Sequence, residues 1–267
     1  MRILLTNDDG IRAPGIVALH QALQGLGEIV VFAPETVQSA MSHGITYTTP
    51  LMTQQVEVTP AMTGTAIDGR PADCVKLAMR ALWEEQFGEG SKPDLTISGM
   101  NCGANVGINI IYSGTVAAAI ESAFLGVPAI AVSLFIARRD MICYERAAQI
   151  ARHVIDRVLE SEINPHEVVN INIPICESKD MPIPQIKVVE MNAAGDLGFY
   201  DKRKSPDGRT YYWAAGNGMS FAHTAEGSDV EALKQGHVTI TPLSYVLTDE
   251  ARLEVWEQRL GVSSLKT

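Results

Sequence analysis

Apolar runs of four to eight residues, bounded by turn formers and separated by stretches of helical periodicity, recur from the first residues to about position 175. Arg2–Thr6, Glu28–Ala33, Ala66–Asp68, Asp94–Ser98, Ala129–Phe135 and Val168–Ile173 read as strands. Pro14–Gln24, Pro71–Glu85, Thr115–Leu125 and Met141–Leu159 read as helices, and Pro14 and Pro71 fall where a first turn tolerates a missing N–H. Strands that are apolar throughout, rather than alternating, belong to sheets covered on both faces. Their alternation with helices predicts parallel βαβ units, right-handed crossovers and an α/β, doubly wound core.

After residue 176 the pattern changes. Pro182 and Pro184, a Gly- and Tyr-rich stretch from Gly195 to Gly218 and a basic cluster, Lys202, Arg203 and Lys204, predict hairpins or long loops. Asp229–Lys234 reads as a helix, His237–Thr241 as a strand and Thr248–Leu260 as an amphipathic final helix. The expected organisation is a core over residues 1–175 and an extension over residues 176–267. Thr115–Ala137 imitates a membrane span, with one charge, Glu121, in 23 residues, but Gly126, Val127 and Pro128 divide it. A buried helix followed by a buried strand is expected there.

Composition narrows the class. With 46% hydrophobic and 19% charged residues among 267, the chain can bury a full core. Lys and Arg total 21 against 31 Asp and Glu, a net charge of −10, the wrong sign for a partner made of polymeric nucleic acid. Cys74, Cys102, Cys143 and Cys176 are spaced by 28, 41 and 33 residues, with no C-x-x-C pair, which predicts reduced thiols in a cytoplasm. The opening residues turn polar after Ile3-Leu4-Leu5, too soon for a signal peptide, and no membrane association is expected.

The chemistry concentrates at predicted strand ends. The first strand runs into Asn7-Asp8-Asp9-Gly10, placing two adjacent carboxylates at the edge where open α/β sheets bind ligands. Such a pair is most easily kept ionised by a cation, though Asp and Gly also suit a turn and a helix cap. Ser98-Gly99-Met100-Asn101-Cys102-Gly103-Ala104-Asn105 follows another strand; Asn101 offers a neutral carbonyl oxygen. Ser113-Gly114-Thr115 then opens a helix whose free N–H groups suit a phosphate. The loop Pro34–Gly44 carries Ser39. A set of Asp, Asp, Ser and Asn is all oxygen, which favours Mg²⁺, Mn²⁺ or Ca²⁺ over structural zinc. Zincin, P-loop and G-x-G-x-x-G signatures are absent from the sequence. His43 reads as a solvated loop histidine, Cys102 as a small buried thiol, and Trp213 with Tyr211 and Tyr212 as packing in the extension or at a subunit contact.

Together these blocks resemble one family, the SurE family of survival proteins. The resemblance rests on Asn7-Asp8-Asp9-Gly10-Ile11, Ser39, Gly69-Arg70-Pro71-Ala72-Asp73-Cys74-Val75, Ser98 to Asn105, Tyr112-Ser113-Gly114-Thr115-Val116, Val169-Asn170-Ile171-Asn172-Ile173-Pro174 and Thr239-Ile240-Thr241-Pro242-Leu243, in family order. It departs at Ala40, where a Ser-Gly pair would be expected after Gln38. The resemblance implies a Rossmann-like three-layer α/β/α core with a mostly parallel sheet, a β-hairpin extension and a C-terminal dimerisation segment. It implies one divalent cation per subunit, Mg²⁺ or Mn²⁺, held by Asp8, Asp9, Ser39 and Asn101, with phosphate or substrate held by Asn105, Ser113, Gly114 and Thr115. The implied activity is release of phosphate from nucleoside 5′- and 3′-monophosphates, with short polyphosphate a substrate of some members, in a homodimer or homotetramer. Asp8 and Asp9 are then the expected catalytic residues. Two other readings stay open: a phosphatase acting through an aspartyl-phosphate, and a non-enzymatic module stabilised by metal.

Overall fold

The computed structural model describes residues 1–195, 197–215 and 218–262. Three positions of the Gly- and Tyr-rich stretch, 196, 216 and 217, and the last five residues of the predicted extension lie outside them. Strands β1 (Arg2–Thr6), β2 (Glu28–Pro34), β3 (Thr53–Thr59), β4 (Met62–Ile67), β5 (Leu95–Cys102), β6 (Ala129–Leu134), β7 (Val168–Ile173), β8 (Ile186–Val188) and β11 (Val238–Leu243) form one sheet, ordered β3-β4-β2-β1-β5-β6-β7-β11-β8. The run from β4 to β7 is parallel throughout; β3 lies antiparallel to β4, and β11 antiparallel to β7. A separate hairpin pairs β9 (Phe199–Lys204) with β10 (Thr210–Ala215).

Alternation along the central strands builds two cores. Ile3 and Leu5 of β1, with Ile130 and Val132 of β6, pack with Ile16 and Leu19 of α1 (Pro14–Ala22) and Ile150 and Val154 of α5 (Tyr144–Val158). Leu4 points to the other face, where it meets Val75 of α2 (Pro71–Leu77) and Trp83 of α3 (Trp83–Phe87). On that face Ala129 and Ala131 meet Val116, Ala119 and Ala123 of α4 (Gly114–Phe124), small residues that let helix and sheet approach closely. The doubly wound core expected from the apolar runs, in the three-layer α/β/α form that the resemblance implies, is the one observed. The remaining helices are α6 (Asp229–Lys234) and α7 (Glu250–Leu260).

Several elements depart from expectation. The strand read as Ala66–Asp68 begins at Met62, and its antiparallel neighbour β3, Thr53-Gln54-Gln55-Val56-Glu57-Val58-Thr59, was missed because only Val56 and Val58 interrupt its polar residues, as an edge strand allows. The helix read as Pro71–Glu85 is interrupted by a π-turn at Ala78–Leu82 between α2 and α3. The helix expected to start at Met141 starts at Tyr144, after a short 3₁₀ turn at Arg139–Met141. β8, only three residues long, carried no pattern. Past residue 175 the chain contributes β8 and β11 to the main sheet as well as the hairpin. The segment that imitates a membrane span is α4 followed by β6, and no helix among the described residues is long and apolar enough to cross a membrane.

Candidate active site

The sheet order reverses at β1: the chain moves from it to β2 on one side and later to β5 on the other. The crevice beyond the carboxyl ends of β1 and β5 is the switch point, where ligands bind in open α/β sheets. Register pairs Thr6 with Ser98, so Asp8 and Asp9 leave β1 beside the segment that carries Asn101. Between Ser98 and Asn101 the register of β5 against β6 shifts, an irregularity of the kind that re-aims side chains at functional edges. Asn101 thus lies at the end of a strand that continues to Cys102, four residues past the predicted end.

Asp8 is 5% exposed, and its Oδ1 accepts a hydrogen bond from Thr115 Oγ1 at 2.5 Å. Burial, with the neighbouring Asp9 charge adding to it, pushes its carboxyl up to about 6, against the opposing pull of the Thr115 hydroxyl and of the Thr115 and Asp8 backbone N–H groups. Asp9 is half-buried, and its Oδ2 accepts from the backbone N–H of Cys102 at 2.8 Å. Asn101 Nδ2 donates to the Gly103 carbonyl at 2.8 Å, a bond that does not use its Oδ1. The Asp8 backbone carbonyl accepts from Gln38 N at 2.8 Å, and exposed Ser39 follows the residue anchored there.

The helix that was predicted to face a phosphate does begin here. Ser113 caps α4, its Oγ accepting from Val116 N at 3.1 Å. At Gly114 a Cβ would meet Asp8 Cβ and Pro71 Cγ at 2.9 Å, so only glycine lets the helix approach the carboxylate this closely. Thr115, expected on the phosphate, gives its hydroxyl to Asp8 instead. Asn105 is buried in a polar network: its Nδ2 donates to Ser133 Oγ at 2.7 Å, its N–H to Asn172 Oδ1 at 2.8 Å, and its carbonyl accepts from Asn170 and Asn172. Its neighbour in the loop, Gly107, donates to buried Asp229 at 2.8 Å, tying the site to α6.

Two side chains differ from their sequence reading. Cys102 is half-buried, and its sulfur accepts from Tyr144 Oη at 3.1 Å and from Arg139 Nη1 at 3.7 Å. His43 sits neither in the crevice nor free in solvent: its Nε2 is 2.8 Å from Glu121 Oε2. Sequence reasoning also missed the Cys102 amide that holds Asp9, because a backbone donor leaves no mark on residue type.

The donor set fits a hard divalent cation. Among the described residues no three His, Cys, Asp or Glu side chains cluster as a metal site, and the donors at the switch point are oxygens. Two carboxylates close enough to repel, an amide oxygen and a hydroxyl supply oxygen donors and a net charge of −2 when ionised.

Fold and site together define a doubly wound α/β protein with two adjacent carboxylates at the switch point beside a helix N-terminus. Residues 3–195 match the family model described as Survival protein SurE. A 5′-nucleotidase SurE of Rhodopirellula baltica is 43% identical, over 97% of this chain and all of the relative. One from Geobacter metallireducens is 41% identical over 95% of each chain. The crystal structure of a SurE protein from Aquifex aeolicus superposes with a TM-score of 0.79 at 36% identity, over 97% of this chain and all of that one. The chain belongs to the SurE family.

Proposed function

We propose that the protein is a divalent-cation-dependent nucleotidase that releases phosphate from nucleoside 5′- and 3′-monophosphates. The observation that carries the reading is the convergence of Asp8, Asp9 and Asn101 at the switch point with the N-terminus of α4, held there by the Asp8–Thr115 bond and the Gly114 approach. Its relatives named 5′-nucleotidase SurE support the substrate class.

Asp8, Asp9, Ser39 and Asn101 would hold the cation, which supplies Lewis-acid polarisation of the phosphoryl group and orientation of a water; the set suits Mg²⁺ or Mn²⁺. Asp9 is the better general base, because it is the less buried of the pair and keeps Oδ1 clear of the Cys102 amide. Ser113 keeps a hydroxyl proton for a phosphoryl oxygen while its lone pair caps α4. Thr115 orients Asp8, and the positive end of α4 favours the charge that collects on the transferred group. Asn105 shapes the loop between Gly103 and Gly107 from beneath, through the network described above.

A homodimer or homotetramer is the expected assembly, supported by the exposed aromatics of the β9–β10 hairpin and the exposed Leu253, Trp256 and Leu260 of α7. A cytoplasmic location is supported by four unbridged cysteines. Asp8→Asn and Asp9→Asn are each expected to lower cation-dependent phosphate release from nucleoside monophosphates by at least about a hundredfold, with circular dichroism unchanged. Full turnover in either variant, or turnover undiminished in excess chelator, would remove the reading.

A further inference from the structure

Glu121 is a buried charge that the chemistry above does not use. It lies on α4, seven residues from Gly114, with 1% of its side chain exposed. Its Oε2 is 2.8 Å from His43 Nε2, and its Oε1 is 3.6 Å from Lys76 Nζ of α2. Burying a carboxylate costs several kcal/mol even when paired, and apolar residues in place of such a pair often raise stability, so stability alone gives it little reason to be there.

Its position relative to the loop from Gln38 to Thr46 supplies a reason. That loop has no ladder or helix of its own, and Ala40 and Ser42 sit at φ of 57° and 53°, in the left-handed region that side chains disfavour. It keeps this shape through contacts at separate points. Gln38 N donates to the Asp8 carbonyl, and Ser42 N and Oγ donate to the carbonyls of Tyr112 and Ile111 at 3.0 and 2.6 Å. At its far end Thr46 donates to both oxygens of Asp73. Between them His43 reaches Glu121, and its ring stacks on Phe124 with centroids 5.7 Å apart. Through Glu121 and Phe124, His43 joins the Ser39 loop to the body of α4, the helix whose first turn faces Asp8.

We infer that Glu121, acting through His43, is a positioning residue that clamps the Ser39 loop onto α4 and so sets the cation affinity of the site. The inference rests on the reading of Ser39 as a cation donor. It acts on how well the oxygen set is assembled, not on the chemical step.

The test is direct Mn²⁺ binding by titration calorimetry on the full chain, alongside phosphate release as a function of Mn²⁺. His43→Ala decides, because the ring is 33% exposed and its removal empties no core. Its Mn²⁺ dissociation constant is expected to rise about tenfold, with lost activity recovered at high Mn²⁺ and with faster amide exchange over residues 40–44. Glu121→Gln is expected to weaken Mn²⁺ binding in the same direction, and the double variant to be no weaker than His43→Ala, since removal of the ring already breaks the contact with Glu121. His43→Gln, which keeps an N–H donor for the carboxylate, should restore much of the affinity. Mn²⁺ affinity within about twofold of the parent in His43→Ala, with Asp8→Asn and Ser39→Ala both impaired, overturns the inference alone. Undiminished Mn²⁺ binding in Asp8→Asn or Ser39→Ala shows instead that the cation reading has failed, and takes the inference with it.

Discussion

Asp8 is held between opposed demands. Burial and Asp9 favour its neutral form, and Thr115 favours its charge, with a net rise to about 6 from an ordinary 3.8. Because the folded value exceeds the unfolded one, the stability this group contributes is fully present below about pH 4 and is lost as pH rises through 6. In chelator at pH 7 the ionised side chain therefore costs up to about 3 kcal/mol. Asp8→Asn is expected to melt higher than the parent under those conditions, the gap closing as the pH approaches 4 and reversing at pH 7 with saturating cation, which stabilises only the parent. Melting curves at these pH values with and without Mn²⁺ check it. Ala40 is the simpler case: a left-handed backbone at a methyl-bearing residue stores about 1 kcal/mol that glycine would not. Ala40→Gly is expected to raise stability by about that amount in urea melts.

At the scale of elements, α4 is the pivot, since one end faces Asp8 and its flank holds Glu121. Removing its cap by Ser113→Ala is expected to cost about 1 kcal/mol of stability. The same change should weaken competitive inhibition by inorganic phosphate by several-fold while Mn²⁺ binding stays near the parent's. Inhibition constants measured beside urea melts separate the two losses. How far such elements could be read from the sequence depended on burial. β1, β2 and β6 were legible because their faces are covered, which makes them nearly continuous apolar runs, and β5 and β7 because Leu95 and Ile97, and Ile171 and Ile173, alternate with small polar residues. β3 was not, since this edge strand brings only Val56 and Val58 to the core. The same division holds in the site. Asp8, Asp9 and Asn101 stood out as candidates because they lie at strand ends, whereas Glu121 and His43 lie 78 residues apart and nothing local in either signals the other. Thr115 was noticed but given to phosphate, because a hydroxyl at a helix start looks the same whether it meets a ligand or a carboxylate.

For the molecule as a whole, the outstanding surface is the hairpin of β9 and β10. Trp213, Tyr212, Tyr200 and Phe199 are all more than half exposed, and they occupy both faces of a two-stranded ribbon. Such a ribbon is marginal in water by itself, so the assembly proposed above would cover it with another subunit. Tyr212→Lys combined with Trp213→Lys is expected to lower the mass measured by light scattering while leaving far-ultraviolet circular dichroism unchanged. The layout of the sheet also bears on how the protein is made. β1 lies in the middle, paired with β2 from Glu28 onward and with β5 only from Leu95 onward. Synthesis runs from the N-terminus, and contacts of long sequence separation form late. The nascent chain therefore carries its two aspartates for most of a hundred residues before Asn101 exists, and longer before Thr115 and Glu121 do. Until the ribosome has passed α4 the carboxylates have no cradle, so capture of the cation proposed above would mark the moment at which the first half of the protein has been completed.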